Sequence, residues 1–503
     1  MSYTTVPTEL NIKEIIGKKY ILSPVQYQRL RICNANTMSV RDFLDRDLKP
    51  KDKGIEIGSQ SYISKSSHFF ITNKALQPDS FLPILSRDSC IPILPSVFLN
   101  YDLKANDILI SKDSNIGETV ILDRDLPNHM FSGGLYRLPI SNLKYYLLAF
   151  MKNEFFRTQL QFLRGATIRH AKTLFLNCII PLPNRRNKDN IITYVELLAQ
   201  AAINKEKEIN RKYQLIMETF DSELFGNQKI DTFTYENPNI KEMRLSMRLD
   251  TGIYSQEYKF FKYIINNYLF GANNFYGLKF KTKRGQNLQE SCIGYSLRSD
   301  EPKNNFYKLI TSGDLTEFGT HKPYRYLGNP RKNLQRVNHG DIMFSATGQA
   351  ITSVGKVCVF INPPSNLISN INSFFLYKDD FTLEENIFVA MTLLYYKYKQ
   401  YLIKMIGYGN GGSFTEHHFD LIDIPNIPLA VRNKIVSLYH NVVSSSLPRS
   451  TLSNFLNNDI EWNNHIGIHE LDNSLKGIII RLNEVVNQIV EDKEVEISFN
   501  FLA

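Results

Sequence analysis

The chain has 503 residues, 43% of them apolar and 12% aromatic, which is enough for packed cores and excludes a disordered protein. Fifty-nine Lys and Arg against 50 Asp and Glu give a net charge of +9, which inclines the partners towards polyanions. The five cysteines (Cys33, Cys90, Cys178, Cys292, Cys358) are scattered without a C-x-x-C pair, which argues against a zinc site or a disulfide framework and fits a reducing cytoplasm.

The first twenty residues lack the charged start, apolar run and cleavage site of a secretory signal. No stretch reaches the ~18 apolar residues of a membrane span. The expectation is a soluble, cytoplasmic protein of about two or three domains.

In chain order, residues 70–73 (FITN) close a short apolar run, and 106–111 (NDILIS) lead from a turn into a strand. A polar loop, KDSNIGETVIL, returns to β-type residues, and SGGLYRLPI at 132–140 gives a further strand. Residues 144–163 are helical and rich in aromatics, and 164–183 (RGATIRHAKTLFLNCIIPLP) end in a strand stopped by prolines. Apolar residues then fall at 192, 195, 199, 202, 209, 213, 216 and 220, a heptad seam with Glu206 as its one polar occupant. FGNQK ends this helix at Gly226.

The same order then recurs. LITS at 309–312 matches FITN, and GDIMFS at 340–345 matches NDILIS. ATGQAITSVGKVCVF, SNINSFFLYKD and the helical stretch 385–406 follow, and 411–428 (GGSFTEHHFDLIDIPNIP) matches 164–183 with His417 laid on His170 and Pro428 on Pro181. Offsets of 234 to 247 residues exceed any solenoid period, so the chain carries two copies of one mixed α/β domain. A short seam at 431, 435, 438 and 442 and a longer one at 475, 478, 482, 485 and 489 repeat the helical role, interrupted by a polar stretch at 446–470 that holds the only Trp, Trp462.

Three short motifs suggest catalysis, and each fails on context. Gly407, Gly409 and Gly412 satisfy G-x-G-x-x-G, but an amphipathic helix precedes them where a dinucleotide site needs a strand. INPPSN at 361–366 has Ser365 where an amino-methyltransferase places a stacking aromatic, and reads as a proline turn between strands. Asp79 lacks the carboxylate and lysine partners of a nuclease, and no phosphate-binding G-x-x-x-x-G-K-[ST] loop occurs. The adjacent His417 and His418 point apart on most backbones, so a shared metal is not expected.

The order NDILIS, NIGETVIL, SGGLYRL, RGATIRHAKTLFLNCIIPLP, long heptad helix and second round resembles the specificity (S) subunit of Type I restriction-modification enzymes over nearly the whole chain. The resemblance implies an α+β fold, with two similar mixed α/β target-recognition domains separated by long antiparallel coiled-coil helices in a pseudo-twofold arrangement. The expected division is a first recognition domain at 1–185, a spacer helix at 186–228, a second recognition domain at 229–428, and a second spacer helix at 429–503 with the polar insertion at 446–470.

It further implies a non-catalytic subunit that reads a split, asymmetric site in double-stranded DNA. Two methyltransferase subunits would dock on the helices, and restriction subunits would join them. This chain would hold no cofactor or metal, with S-adenosylmethionine, ATP and magnesium carried by the partners. Candidate DNA contacts are the polar loops beside the matched blocks. These are Lys112, Asn115, Arg164, Thr167, Arg169, His170 and Lys172 in the first copy, and Gln349, Thr352, Asn410, Ser413, Thr415, His417 and His418 in the second. For each, the competing reading is a capping residue that satisfies backbone groups at an element boundary. Two other classes remain open: an autonomous restriction nuclease with an unrecognised metal site, and a scaffold that joins proteins without a DNA role.

Overall fold

A computed structural model describes residues 3–17, 20–22, 27–164, 173–230, 232–294, 296–328, 330–331, 333–347, 353–406, 412–443 and 450–500. The chain forms two compact units, Met1–Glu208 with Ser444–His465 and Asn473–Ala503, and Ile209–Val443 with Ile466–Asp472.

In the first unit the wholly buried strand Ile108–Ser111 lies between Thr119–Ile121 and Leu135–Leu138, antiparallel to both. Such unbroken apolar runs, without polar alternation, are what a strand covered on both faces requires. Asn106 holds φ +70° and its N–H donates to Leu122 O at 2.8 Å, which starts the strand where a left-handed residue is tolerated. A second sheet places Phe69–Ile71 between Cys90–Pro92, antiparallel, and His129–Phe131, parallel. Leu109, Val120, Phe131, Leu135 and Ile71 form the core between them. Ile179–Pro181 pairs with Thr37–Ser39 as a separate ribbon, and the helices Lys144–Lys152 and Glu154–Arg164 precede it.

The second unit repeats this plan pair for pair. Ile342–Ser345 lies between Val357–Val359 and Ser373–Tyr377, with Lys281–Arg284 added on the outside. Tyr307–Ile310 runs parallel to Leu367–Ser369 and antiparallel to Arg325–Gly328. Asp423–Pro425 pairs with Ala272–Asn274. Ile108 faces Ile121 and Leu138; Ile342 faces Val359 and Leu376. The turn between Val357–Val359 and Leu367–Ser369 contains the two prolines of INPPSN, with Leu367 N donating to Pro364 O at 3.0 Å.

The register corrects one detail of the repeat. Pro181 pairs with Thr37, and the residue in its place in the second ribbon is Pro425, which pairs with Ala272; it is not Pro428. The second copy contains Ile-Pro twice, at 424–425 and 427–428, and a gapless alignment settles on the wrong one. Phe175 and Phe419, 1% and 0% exposed, are then equivalent, and His417 corresponds to Thr173 instead of His170.

The glycine after each outer segment is fixed by close approach. A Cβ on Gly285 would sit 2.0 Å from Asn370 O, and one on Gly54 would sit 2.2 Å from Phe131 O. Gly285→Ala is expected to destabilise the second unit by about 1–3 kcal/mol, the usual range for overpacking, as read from denaturant unfolding.

The helix Lys188–Gly226 ends where expected, and its last turns belong to the second unit. Its burial is wider than one seam. Val195, Ala199, Ala202, Ile209, Tyr213, Ile216 and Phe220 are buried, but so are Tyr194, Leu198, Ala201, Met217 and Leu224. The helix Ile468–Val490 buries Leu475, Ile478, Leu482, Val485 and Ile489, as its seam predicts, and has residues in both units. The short seam is truncated. Helix Leu429–Tyr439 buries Ile435, whereas Val442 lies beyond its end and is exposed. The polar insertion contains a helix, Phe455–His465, that belongs to the first unit. Among the described residues no helix is long and apolar enough to cross a membrane.

Candidate nucleic-acid interface

In the second unit, pairing of Ile342–Ser345 with Ser373–Tyr377 sets Phe344 opposite Phe374 on one face of the sheet. Phe414 and Phe419 cover these rings, with centroid separations of 4.8 Å for Phe344–Phe414 and 5.6 Å for Phe374–Phe419. Phe414 N also donates to Ala346 O at 2.8 Å. Ser413 and Thr415 are thereby held beside the first residue of the loop that carries Gln349 and Thr352. Gln349, Thr352 and Asn410 themselves lie outside the described residues.

Thr415 and His418 cap the short helix Glu416–Phe419. The backbone N–H of Thr415 donates to His418 Nδ1 at 2.9 Å, and the Thr415 hydroxyl lies 2.7 Å from the same atom. Burial holds the His418 ring below the usual histidine pKa, so it stays neutral and accepts. His417 points away from it, its side chain 96% exposed and 3.9 Å from Asp420. Of the pair, His417 is the residue open to a ligand.

In the first unit the corresponding loop is pinned from both sides. Asn115 donates to Leu76 O at 3.1 Å, and Asn73 donates to Asp113 O at 3.0 Å. Lys112 makes an ion pair with Asp113 at 3.0 Å and is largely covered. Gly117, at φ +85°, lets the loop approach Leu160 of the helix Glu154–Arg164, where a Cβ would meet the Leu160 side chain. Between loop and helix lies a cleft of ≈ 270 Å³ lined by Asn115, Glu118, Arg157 and Gln161 among others. Arg164 ends that helix. Thr167, Arg169, His170 and Lys172 lie outside the described residues.

Charged groups below the loop are spent on structure. Glu118 sits 3.1 Å from Arg157 and 3.7 Å from Lys152. Burial pushes the Lys152 ammonium down to about 8, partly opposed by Glu118 and Glu206. Glu206, the polar occupant of the seam, is buried and accepts from Phe81 N at 2.9 Å, Leu82 N at 2.8 Å and Ser80 Oγ at 2.9 Å. It binds the 80–82 loop to the long helix.

A basic edge that the repeat pattern does not mark joins these residues. Lys279, Lys281, Lys283 and Arg284 are exposed on and beside the outermost strand of the second unit, and the signal was the run KFKTKR at 279–284. Arg284 faces Phe374, on the same side of the sheet as the 412–418 segment. This face of the second unit thus combines exposed cations, an exposed imidazole and loop hydroxyls around an aromatic platform, a set suited to phosphates and base edges. Among the described residues no group of three His, Cys, Asp or Glu side chains could hold a metal ion.

No family model and no curated protein matches the sequence. Among solved structures, the chain is similar to the Type I restriction-modification S subunit from M. genitalium, at 13% identity and a TM-score of 0.37, covering 90% of this chain and 95% of that one. A structure of the type I R-M system is similar at 12% identity and a TM-score of 0.26, covering 90% and 97%. The HsdS subunit from Thermoanaerobacter tengcongensis is similar at 12% identity and a TM-score of 0.25, covering 91% and 96%.

Proposed function

We propose that the chain is the DNA-binding specificity subunit of a Type I restriction-modification complex. Each unit reads one half of a split, asymmetric duplex site. The chain itself performs no chemistry; it positions two methyltransferase subunits, which bring S-adenosylmethionine, and restriction subunits, which use ATP and magnesium.

One observation carries this reading. Two modules share the same strand pairing down to the facing residues, and two continuous helices cross the boundary between them. A duplicated module suits a linear polymer read at two places. The net charge of +9 and the basic edge favour a polyanion.

The test is a map of methylated adenines in the source genome with and without the gene. The expected result is one bipartite motif, methylated in both halves, that vanishes on deletion. An unchanged methylation map overturns the reading. Cleavage of plasmid by the purified chain with magnesium alone favours an autonomous nuclease instead.

A further inference from the structure

The register shows that Arg284 has a counterpart in the first unit. Arg284 faces Phe374 across the outer strand pair, and Lys53 faces Tyr136 through an isolated antiparallel bridge. Tyr136 and Phe374 are themselves equivalent, since they face Ile110 and Phe344 on the central strands. Each ring packs on the equivalent buried phenylalanine, Tyr136 on Phe175 at 5.8 Å and Phe374 on Phe419 at 5.6 Å. The next residue is glycine in both copies, Gly54 and Gly285, each pressed against a main-chain carbonyl. Ile55 and Gln286 then bridge in parallel to Ser132 and Asn370. The two cations therefore occupy one position of the fold.

Both are exposed, and each is held by one hydrogen bond, Arg284 through its side chain and Lys53 through its main chain. Arg284 Nε donates to Ile371 O at 3.0 Å, and its guanidinium lies 5.2 Å from the centre of the Phe374 ring. That leaves Nη1 and Nη2 without a protein partner among the described residues. The Lys53 carbonyl accepts from Tyr101 OH at 3.2 Å, which fixes its main chain while the ammonium is free among the described residues.

Elsewhere on this face the copies diverge. Lys112 follows the central strand in the first, and Ala346 takes that place in the second. Two modules that read different sequences must differ where they touch bases, and they can agree where they touch what every half-site has. What every half-site has is the phosphate backbone.

We propose that Lys53 and Arg284 are equivalent phosphate contacts, one per unit, that fix each recognition face on the DNA backbone without reading sequence. This deepens the DNA-binding reading above and rests on it.

The test titrates salt against binding of the full-length chain to a random-sequence duplex, comparing the wild type with Lys53→Ala, Arg284→Ala and the double variant. Neutralising one phosphate contributes a slope of about 0.9 in log affinity against log salt. Each single alanine variant is expected to lower the slope by about that amount, so that the affinity ratio between about 50 and about 200 mM salt falls roughly threefold. The double variant should lose about twice as much slope. Lys53→Arg and Arg284→Lys should keep the wild-type slope, and thermal melts should show every variant folded at the temperature of the titration. The motif selected from a random library should be the same for every variant. An unchanged slope in the alanine variants overturns the assignment, as does a changed base preference in one half of the motif. Absence of salt-dependent binding by the wild type defeats the DNA reading itself, an outcome distinct from either.

Discussion

Replacing Lys205 with methionine lowers the unfolding free energy of the first unit by about 3–5 kcal/mol. The Lys205 ammonium is 2.7 Å from Asp459 Oδ1 and donates to Asn463 Oδ1 at 2.6 Å, and Asn463 Nδ2 returns a hydrogen bond to Asp459 Oδ2 at 3.1 Å. Both charged side chains are 0% exposed. Burial pulls the lysine below its usual pKa, and the neighbouring carboxylate opposes that pull. Removing the lysine strands a carboxylate in the interior with one amide for company, which is why the single substitution is costly. Lys205→Met combined with Asp459→Leu removes both charges and is expected to recover most of the loss, since a buried pair barely repays its own desolvation. Urea unfolding of the full chain measures both. A single variant as stable as the wild type, or a double variant no better than the single, refutes this account. The triad also gives the 446–470 insertion a role. Its helix is fastened to the long helix by this buried pair, and Phe455 stacks on Phe499 of the C-terminal segment at 4.2 Å.

The duplication was legible because its strongest signals are local. NDILIS and GDIMFS each join a left-handed turn residue, Asn106 or Gly340, to a wholly buried strand, and both parts survive divergence. A further match precedes these in each copy. Asn11-Ile-Lys-Glu and Asn239-Ile-Lys-Glu both open short helices, with Asn11 Oδ1 accepting from Lys13 N at 2.9 Å and Asn239 Oδ1 from Glu242 N at 2.9 Å. Four residues are too few to stand out from chance without the register behind them. The pairing of Lys53 with Arg284 was illegible for a different reason. PKDK and KTKR share little sequence, and only the facing aromatics and the glycines reveal the correspondence. The heptad pattern found both long helices but understated their burial, because a seam records one contact face and Lys188–Gly226 is covered on more than one. For Thr415 and His418 the capping chemistry was visible in the spacing of three residues. No sequence pattern separates a cap from a DNA contact until the bond from Thr415 N to Nδ1 is seen.

Under the proposed function, lengthening both boundary-crossing helices by one heptad is expected to widen the gap in the DNA site by about three base pairs and leave both halves unchanged. The boundary falls between Glu208 and Ile209 in one helix and between Asp472 and Asn473 in the other, inside helical segments in both cases. Seven residues add about 10 Å at 1.5 Å each, and base pairs stack at about 3.4 Å. Seven is also close to two full turns, so each apolar face keeps its direction to within about 20°. Four residues in one helix alone would rotate the following turns and throw the seams out of register, and that variant should unfold more easily and select no site. Selection from a random duplex library reads the result directly. If the heptad variant keeps the wild-type gap while still enriching the two halves, helix length does not set the separation, and the proposed measuring role of the helices fails even though DNA recognition stands.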